Sequence, residues 1–409
     1  MGVARPSSAP PPRNHSLDDE GGGPPAAGRS LMSSEPDGAF FYMDGMRTIL
    51  ALVVAFGHVW ALVIRDYQPS GDPFVEFLYF AAQFGHQAVI LFFVLSGFWI
   101  ARSVARRMEE GWSWRSYLLD RLARLLPVLI PTLILGGLLD AIGTFWLQTP
   151  THLGQTATYV LRKNIGADLS LFTLFGNLMF LQFLVEPYGS NGPLWSLAYE
   201  FWFYIWFPAL WLTIRLRSPS LALSTFMLGW LVPPLALAFL SWLSGAAAFG
   251  VVQWLRGRQR PPRALCWFAL LVTGLCLATV LVLARFGADT WKDPVLALVF
   301  AAFLIMLIVV NPREMAMARP VARYGADASF SLYATHFPVM AFAAGLAVGP
   351  ARLAPNMYGQ ALVAIILLGS AIIAWWFARC TESQTGKLRS LIENQHHTRP
   401  AVPLDERGK

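Results

Sequence analysis

Beyond residue 40, long apolar runs alternate with short polar connections along the whole chain. Eleven runs can be counted, at 46–64, 85–104, 123–146, 169–184, 194–214, 221–240, 241–255, 264–285, 294–310, 327–348 and 358–379. Most approach the ~20 residues that a helix needs to cross a hydrocarbon core about 30 Å thick. The pattern predicts an all-α, polytopic membrane protein with its membrane domain at 41–380. Residues 1–40 are rich in Pro, Gly, Ser and Ala and have little apolar surface to bury, which predicts a disordered tail. No apolar segment with a cleavage site follows a basic start, so this tail does not read as a signal peptide. A second, C-terminal tail covers 381–409.

Charge in the connections decides which runs cross. The connection 102–124 carries Arg102, Arg106, Arg107, Arg115, Arg121 and Arg124, and 256–263 carries Arg256, Arg258, Arg260 and Arg263 with no acid. Both are expected in the cytoplasm. Two loops on one side are separated by an even number of crossings, yet five runs lie between them, so one does not cross. Run 169–184 is short and contains Gly176 and Asn177, which predicts a re-entrant or interfacial segment. About ten transmembrane helices remain, with both termini cytoplasmic.

Composition agrees. The 409 residues are 56% hydrophobic and only 13% charged, with mean hydropathy +0.49; a soluble domain carries about 25% charged residues. The net charge of +7 falls in connections between apolar runs, so it reads as topology signalling and not as a nucleic-acid surface. Cys266, Cys276 and Cys380 are an odd set without metal-ligand spacing, and packing is their default role.

Candidate chemistry concentrates where titratable groups interrupt apolar runs, because such groups are expensive in hydrocarbon. Arg47 and His58 lie in the first run. On a helix they are roughly 20° apart around the axis and roughly 16 Å apart along it. Arg47, with Asp44 three residues before it, can be a snorkelling topological arginine or a guanidinium for phosphates. His58 cannot snorkel from mid-helix, and imidazole suits general base work near neutral pH. Ser96-Gly97 in the second run suggests close helix packing, with Ser96 a weak candidate nucleophile. Arg121 and Arg124 share a face at the start of the third run. Glu200 stands among aromatics and needs a partner, for which His58 or an acceptor hydroxyl would serve; Tyr204 shares its face. His336 follows Tyr333 by three residues and reads first as an interhelical hydrogen-bonding group.

Asp44-Gly-Met-Arg47 with His58 resembles the first-helix signature of the integral-membrane acyltransferase-3 family, which acylates cell-surface sugars. Phe92-Phe-Val-Leu-Ser-Gly-Phe98, the Arg121/Arg124/Pro127 cluster, Trp195-Ser-Leu-Ala-Tyr-Glu200 with Phe203-Tyr204, and Ser331-Leu-Tyr-Ala-Thr-His336 resemble its later blocks in the same order. Ile90-Leu91 stand where an acid often precedes the Phe pair, and Glu382-Ser-Gln384 lacks a frequent proline. The resemblance implies that Arg47 and His58 are essential to transfer, that Arg121 and Arg124 face the cytoplasm near the donor, and that Glu200 lines the site.

The expected activity is O-acylation at a bacterial cytoplasmic (inner) membrane. An acyl group, most simply acetyl, would pass from acyl-CoA to a hydroxyl of a sugar or glycolipid of the cell envelope. No cofactor or metal is expected to stay bound. Arg47, Arg121 and Arg124 would hold the donor's phosphates. His58 would act as base or transient acyl carrier, and Glu200 would orient His58 or bind the acceptor. Tyr204, Tyr333, His336 and Ser96 are candidate substrate contacts. A transporter or flippase for a polar lipid or sugar is the competing reading, since buried ionisable residues occur there too.

Overall fold

The first apolar run folds as α1, Asp37–Val63, and carries both Arg47 and His58. In the computed structural model, residues 37–382 are described, apart from 218, 260, 287–290 and 316–318. The expected tails at 1–40 and 381–409 therefore lie almost wholly outside the described residues. α1 itself starts at Asp37, ahead of the boundary expected at 41.

The further helices are α2 (Pro73–Ala81), α3 (Gly85–Glu110), α4 (Trp114–Ala141), α5 (Leu171–Leu178), α6 (Trp195–Leu216), α7 (Pro219–Leu231), α8 (Pro233–Leu255), α9 (Arg263–Ala284), α10 (Lys292–Val310), α11 (Arg319–Ala347) and α12 (Met357–Cys380). No strand occurs among the described residues. Ser113 caps α4 by accepting from the Ser116 amide, and a π turn, Ile142–Trp146, extends its far end. α5 has eight residues, or roughly 12 Å of helix, and is too short to cross a bilayer. It occupies the run expected to be re-entrant or interfacial.

Eight helices among the described residues are long and apolar enough to cross a membrane. The expectation of about ten differs for two physical reasons. The runs at 221–240 and 241–255 are divided near 232 and not at 240, which leaves the first helix too short to count as a span. Pro233-Pro234 break the chain at Val232, because proline lacks an amide donor and its ring disfavours helix in the residue before it. The result is a 13-residue α7 and a single 23-residue α8. α6, in turn, has 22 residues but is so rich in Trp and Tyr that it falls short of that apolarity.

α1 packs most heavily on α11, then on α3; α3 packs on α8, and α10 bridges α8 and α9. α9 is outermost, with only 6% of its apolar window buried, as expected for a helix facing lipid. The α3–α8 crossing uses glycines from both helices. A Cβ on Gly97 would lie 2.1 Å from the Trp242 carbonyl oxygen, and one on Gly245 would lie 1.9 Å from that of Val94. Small residues thus let the two backbones touch. Gly97→Ala should force the helices apart and cost about 1–3 kcal/mol, read as a lower melting temperature of the detergent-solubilised protein; unchanged melting would show that the crossing relaxes freely.

Candidate active site

α1 and α11 bring two histidines from distant parts of the chain together. His58 Nδ1 lies 2.9 Å from His336 Nε2, and the rings are nearly parallel at 18°. His336 Nδ1 faces two backbone carbonyls of its own helix, Tyr333 at 2.8 Å and Leu332 at 3.1 Å. Carbonyls only accept, so the proton of a neutral His336 sits on Nδ1. Its Nε2 is then a lone pair, and His58 Nδ1 donates to it. This assignment follows from the hydrogen-bond network. It leaves His58 Nε2 unprotonated, the form a general base needs. His336 thus holds His58 in one tautomer and one orientation.

His58 lines a cavity of about 550 Å³ that also touches Trp60, Arg65, Tyr79, Tyr159 and Arg352. A second cavity of about 70 Å³ is lined by Arg47, Arg124, Ser96, Glu200 and Tyr204. Val89 and Tyr333 line both. Arg47, Arg124 and Glu200 thus belong to the small cavity, and His58 belongs to the large one, together with His86, Arg65, Asp66 and Arg352.

Inside the small cavity, Glu200 Oε1 accepts from Ser96 Oγ at 2.5 Å and from Tyr204 OH at 2.6 Å. Trp242 Nε1 donates to Ser96 Oγ at 3.2 Å. The expected pairing of Glu200 with His58 does not occur: Glu200 bonds within α3 and α6, and His336 takes the orienting place. The Ser96 hydroxyl links Trp242 to Glu200, donating to the carboxylate and accepting from the indole. Arg47 keeps a long contact to Asp44, at 3.8 Å. Of the two α4 arginines expected near the donor, Arg124 lines the cavity; Arg121 stands behind it, over the Tyr117 and Tyr204 rings at 5.6 and 5.9 Å. Glu382, just past α12, accepts from Ser331 Oγ at 3.0 Å. Burial pushes its carboxyl upward, against the Ser331 hydrogen bond and the nearby Arg124 and Arg47.

The roles of Arg352, Asp140 and His152, and the partner of His86, itself a histidine expected near the outer surface, are not evident from the sequence. Arg352, beyond α11, has a side chain only 5% exposed. It donates to the carbonyls of Ala61, Ile64, Thr156 and Ala157 and to Asp66 Oδ1 at 2.8 Å. It thereby ties the end of α1 to two loops at the mouth of the large cavity. A cation in a short connection between apolar runs was its only signal. His86 pairs with Asp293 on α10 at 2.8 Å. Asp140 and His152 are both fully buried, with Asp140 Oδ1 3.5 Å from His152 Nε2. An acid inside an apolar run signalled the first of these; nothing signalled its partner. The three cysteines are unpaired.

The chain matches the family of acyltransferase domains over residues 40–379, most of its length. It is 29% identical over 180 residues to acyltransferase MdmB of Streptomyces mycarofaciens, covering 43% of this chain and 40% of that protein. It is 29% identical over 162 residues to an O-acetyl transferase of Shigella phage Sf6, covering 40% and 43%. Protein 2 in the picA locus of Rhizobium radiobacter is 32% identical over 175 residues, covering 41% of this chain and 81% of that protein. The chain thus spans less than half the length of the first two relatives. No solved structure matches it. With five sequence blocks in order, helices long and apolar enough to cross a membrane, and a domain match over most of its length, the chain belongs to the acyltransferase-3 family.

Proposed function

We propose that the protein moves an acyl group, most simply acetyl, from a cytoplasmic coenzyme A thioester to a hydroxyl of a sugar or glycolipid at the other face of a bacterial cytoplasmic membrane. One observation carries the reading: a small cavity with Arg47 and Arg124 abuts a larger one that has His58 in its wall. The connection from Arg102 to Arg115 is strongly basic and is oriented here toward the cytoplasm. α1 then runs outward, with Arg47 near the inner surface and His58 deeper. The phosphates of coenzyme A pair with Arg47 and Arg124. The large cavity, with Tyr67, Tyr79, Tyr159 and Trp195 among its lining, receives the acceptor. Flat aromatic faces beside Asp66 and Arg352 suit a sugar, which has apolar faces and polar edges. The name of the phage relative favours acetyl.

In the reaction, His58 Nε2 takes the acceptor's hydroxyl proton as the oxygen attacks the thioester carbonyl. The C–S bond breaks, the sulfur takes up a proton, and an ester and free coenzyme A leave.

The test is transfer of label from radiolabelled acetyl-CoA to extracted envelope lipid and polysaccharide, in membranes with and without the protein. Incorporation that depends on the protein is expected. No incorporation together with no coenzyme A binding would sink the reading and favour a flippase. Within the same assay, Arg47→Ala should raise KM for acetyl-CoA about 10–150-fold, from the roughly 1.5–3 kcal/mol of a charged hydrogen bond. An unchanged KM would remove Arg47 from donor binding.

A further inference from the structure

The geometry points to Tyr333 as the partition between the two cavities, keeping the donor thioester from water in the large cavity until an acceptor fills it. The inference rests on the proposed acyl transfer for its chemistry, but its geometry stands independently. Arg47 and Arg124 line only the small cavity, and His58 lines only the large one. Tyr333 borders both. Its hydroxyl lies 2.5 Å from Ser196 Oγ and 3.2 Å from the Pro193 carbonyl oxygen. Ser196 belongs to the small cavity and Pro193 to the large one, so the hydroxyl is fastened at the line where they meet. The ring is steadied by Phe92 on one side and His336 on another, each with centroids 5.8 Å away. With the ring there, a thioester anchored at Arg47 does not reach His58.

A partition matters because His58 is indifferent to which O–H it activates. Water in the large cavity can give its proton to His58 and add its oxygen to the acyl carbon. The C–S bond then breaks, the sulfur regains a proton, and a free carboxylic acid and coenzyme A are released. That is hydrolysis of the donor with no acceptor modified. Tyr333 is held by two neutral hydrogen bonds, which an acceptor hydroxyl entering beside Pro193 can replace. The same acceptor excludes water from the space beside His58. Opening is thereby tied to occupancy. Tyr333 is three residues from His336 on α11, so one helical turn both orients the base and closes the passage to it.

The experiment uses the full-length protein in lipid nanodiscs, with acetyl-CoA and no acceptor. Release of coenzyme A is followed with a thiol reagent, and acetyl-CoA binding is measured separately. Tyr333→Ala is expected to bind acetyl-CoA as the wild type does and to hydrolyse it several-fold faster. Tyr333→Phe, which keeps the ring but not its two hydrogen bonds, should fall between. Binding retained with hydrolysis at the wild-type rate in Tyr333→Ala would overturn the partition. Failure of the wild type to bind acetyl-CoA would instead overturn the enzymatic reading and the hydrolysis argument with it. A geometric readout separates the two cases. In right-side-out vesicles, with the three native cysteines replaced by alanine, Ser196→Cys should resist a small membrane-impermeant thiol reagent added outside. Adding Tyr333→Ala should expose it. Equal labelling with and without Tyr333 would overturn the partition whatever the chemistry.

Discussion

His58→Ala is expected to lower kcat for acyl transfer about 10²–10⁴-fold, with protein abundance and coenzyme A binding unchanged. The large cavity would persist without its base. His336→Ala should cost less and act differently. The base remains, but nothing fixes its tautomer, since His58 Nδ1 loses its partner at 2.9 Å. Its kcat should drop while KM for acetyl-CoA stays, and the pH profile of kcat should shift, because the group that titrates has a changed neighbour. Wild-type activity in His58→Ala would remove the histidine pair from the mechanism. A transient acyl-histidine predicts the same loss but adds a signature in Tyr333→Ala, where the passage to His58 is open: labelled coenzyme A would exchange into acetyl-CoA with no acceptor present. Absence of exchange leaves His58 as a base.

The second large effect is on stability and lies away from the site. Asp140 Oδ2 accepts from the Ser190 amide at 2.7 Å, and Oδ1 faces His152 Nε2 at 3.5 Å. His152 Nδ1 is 2.6 Å from Thr149 Oγ1. Both members of the Asp140–His152 pair are fully buried. The chain is shaped to allow this. Gly189, with φ at +60°, brings its backbone so close to Asp140 that a Cβ would lie 2.2 Å from Oδ2. A Cβ on Gly143 would run into the His152 ring. Asp140→Ala leaves the buried Ser190 amide without its acceptor and a cavity beside His152, which costs about 1–3 kcal/mol. The variant should aggregate or melt well below the wild type when followed by fluorescence-detected gel filtration. Asp140→Asn, which keeps an acceptor, should recover part of the loss. A melt identical to the wild type would show that the pair contributes nothing net.

Much of the site was legible because it is built on local signals. Arg47 and His58 stand out on one helix since each interrupts hydrocarbon, and α1 carries both. Gly97 marked a close crossing, and the α3–α8 contact bears that out. What failed needed tertiary knowledge. The interhelical hydrogen bond expected of His336 is made, but nothing in the sequence says which face of α11 meets α1, so its partner His58 was not evident; of the partners open to Glu200, His58 is not the one it takes. In the fold, Ser96 and Tyr204 already occupy the acceptor oxygen of Glu200. The break at Pro233-Pro234 was visible, but apolar residues continue on both sides, and a count by hydropathy ran through it. Asp140 was absorbed by the apolar run around it for the same reason. Arg352 gave no signal beyond being a cation in a connection, although the open carbonyls at the end of α1 require donors.

The joining of α1 to α11 also bears on how the protein is made. His58 and His336 are 278 residues apart. At roughly 5–20 residues per second, the second follows the first out of the ribosome by roughly 15–55 s. For that interval α1 is already in the bilayer with an imidazole and a guanidinium on its surface, and the helix that will cover the imidazole does not yet exist. The first helix is therefore a long-lived client of the insertion machinery, and a chain arrested before α11 is the form that quality-control proteases would meet.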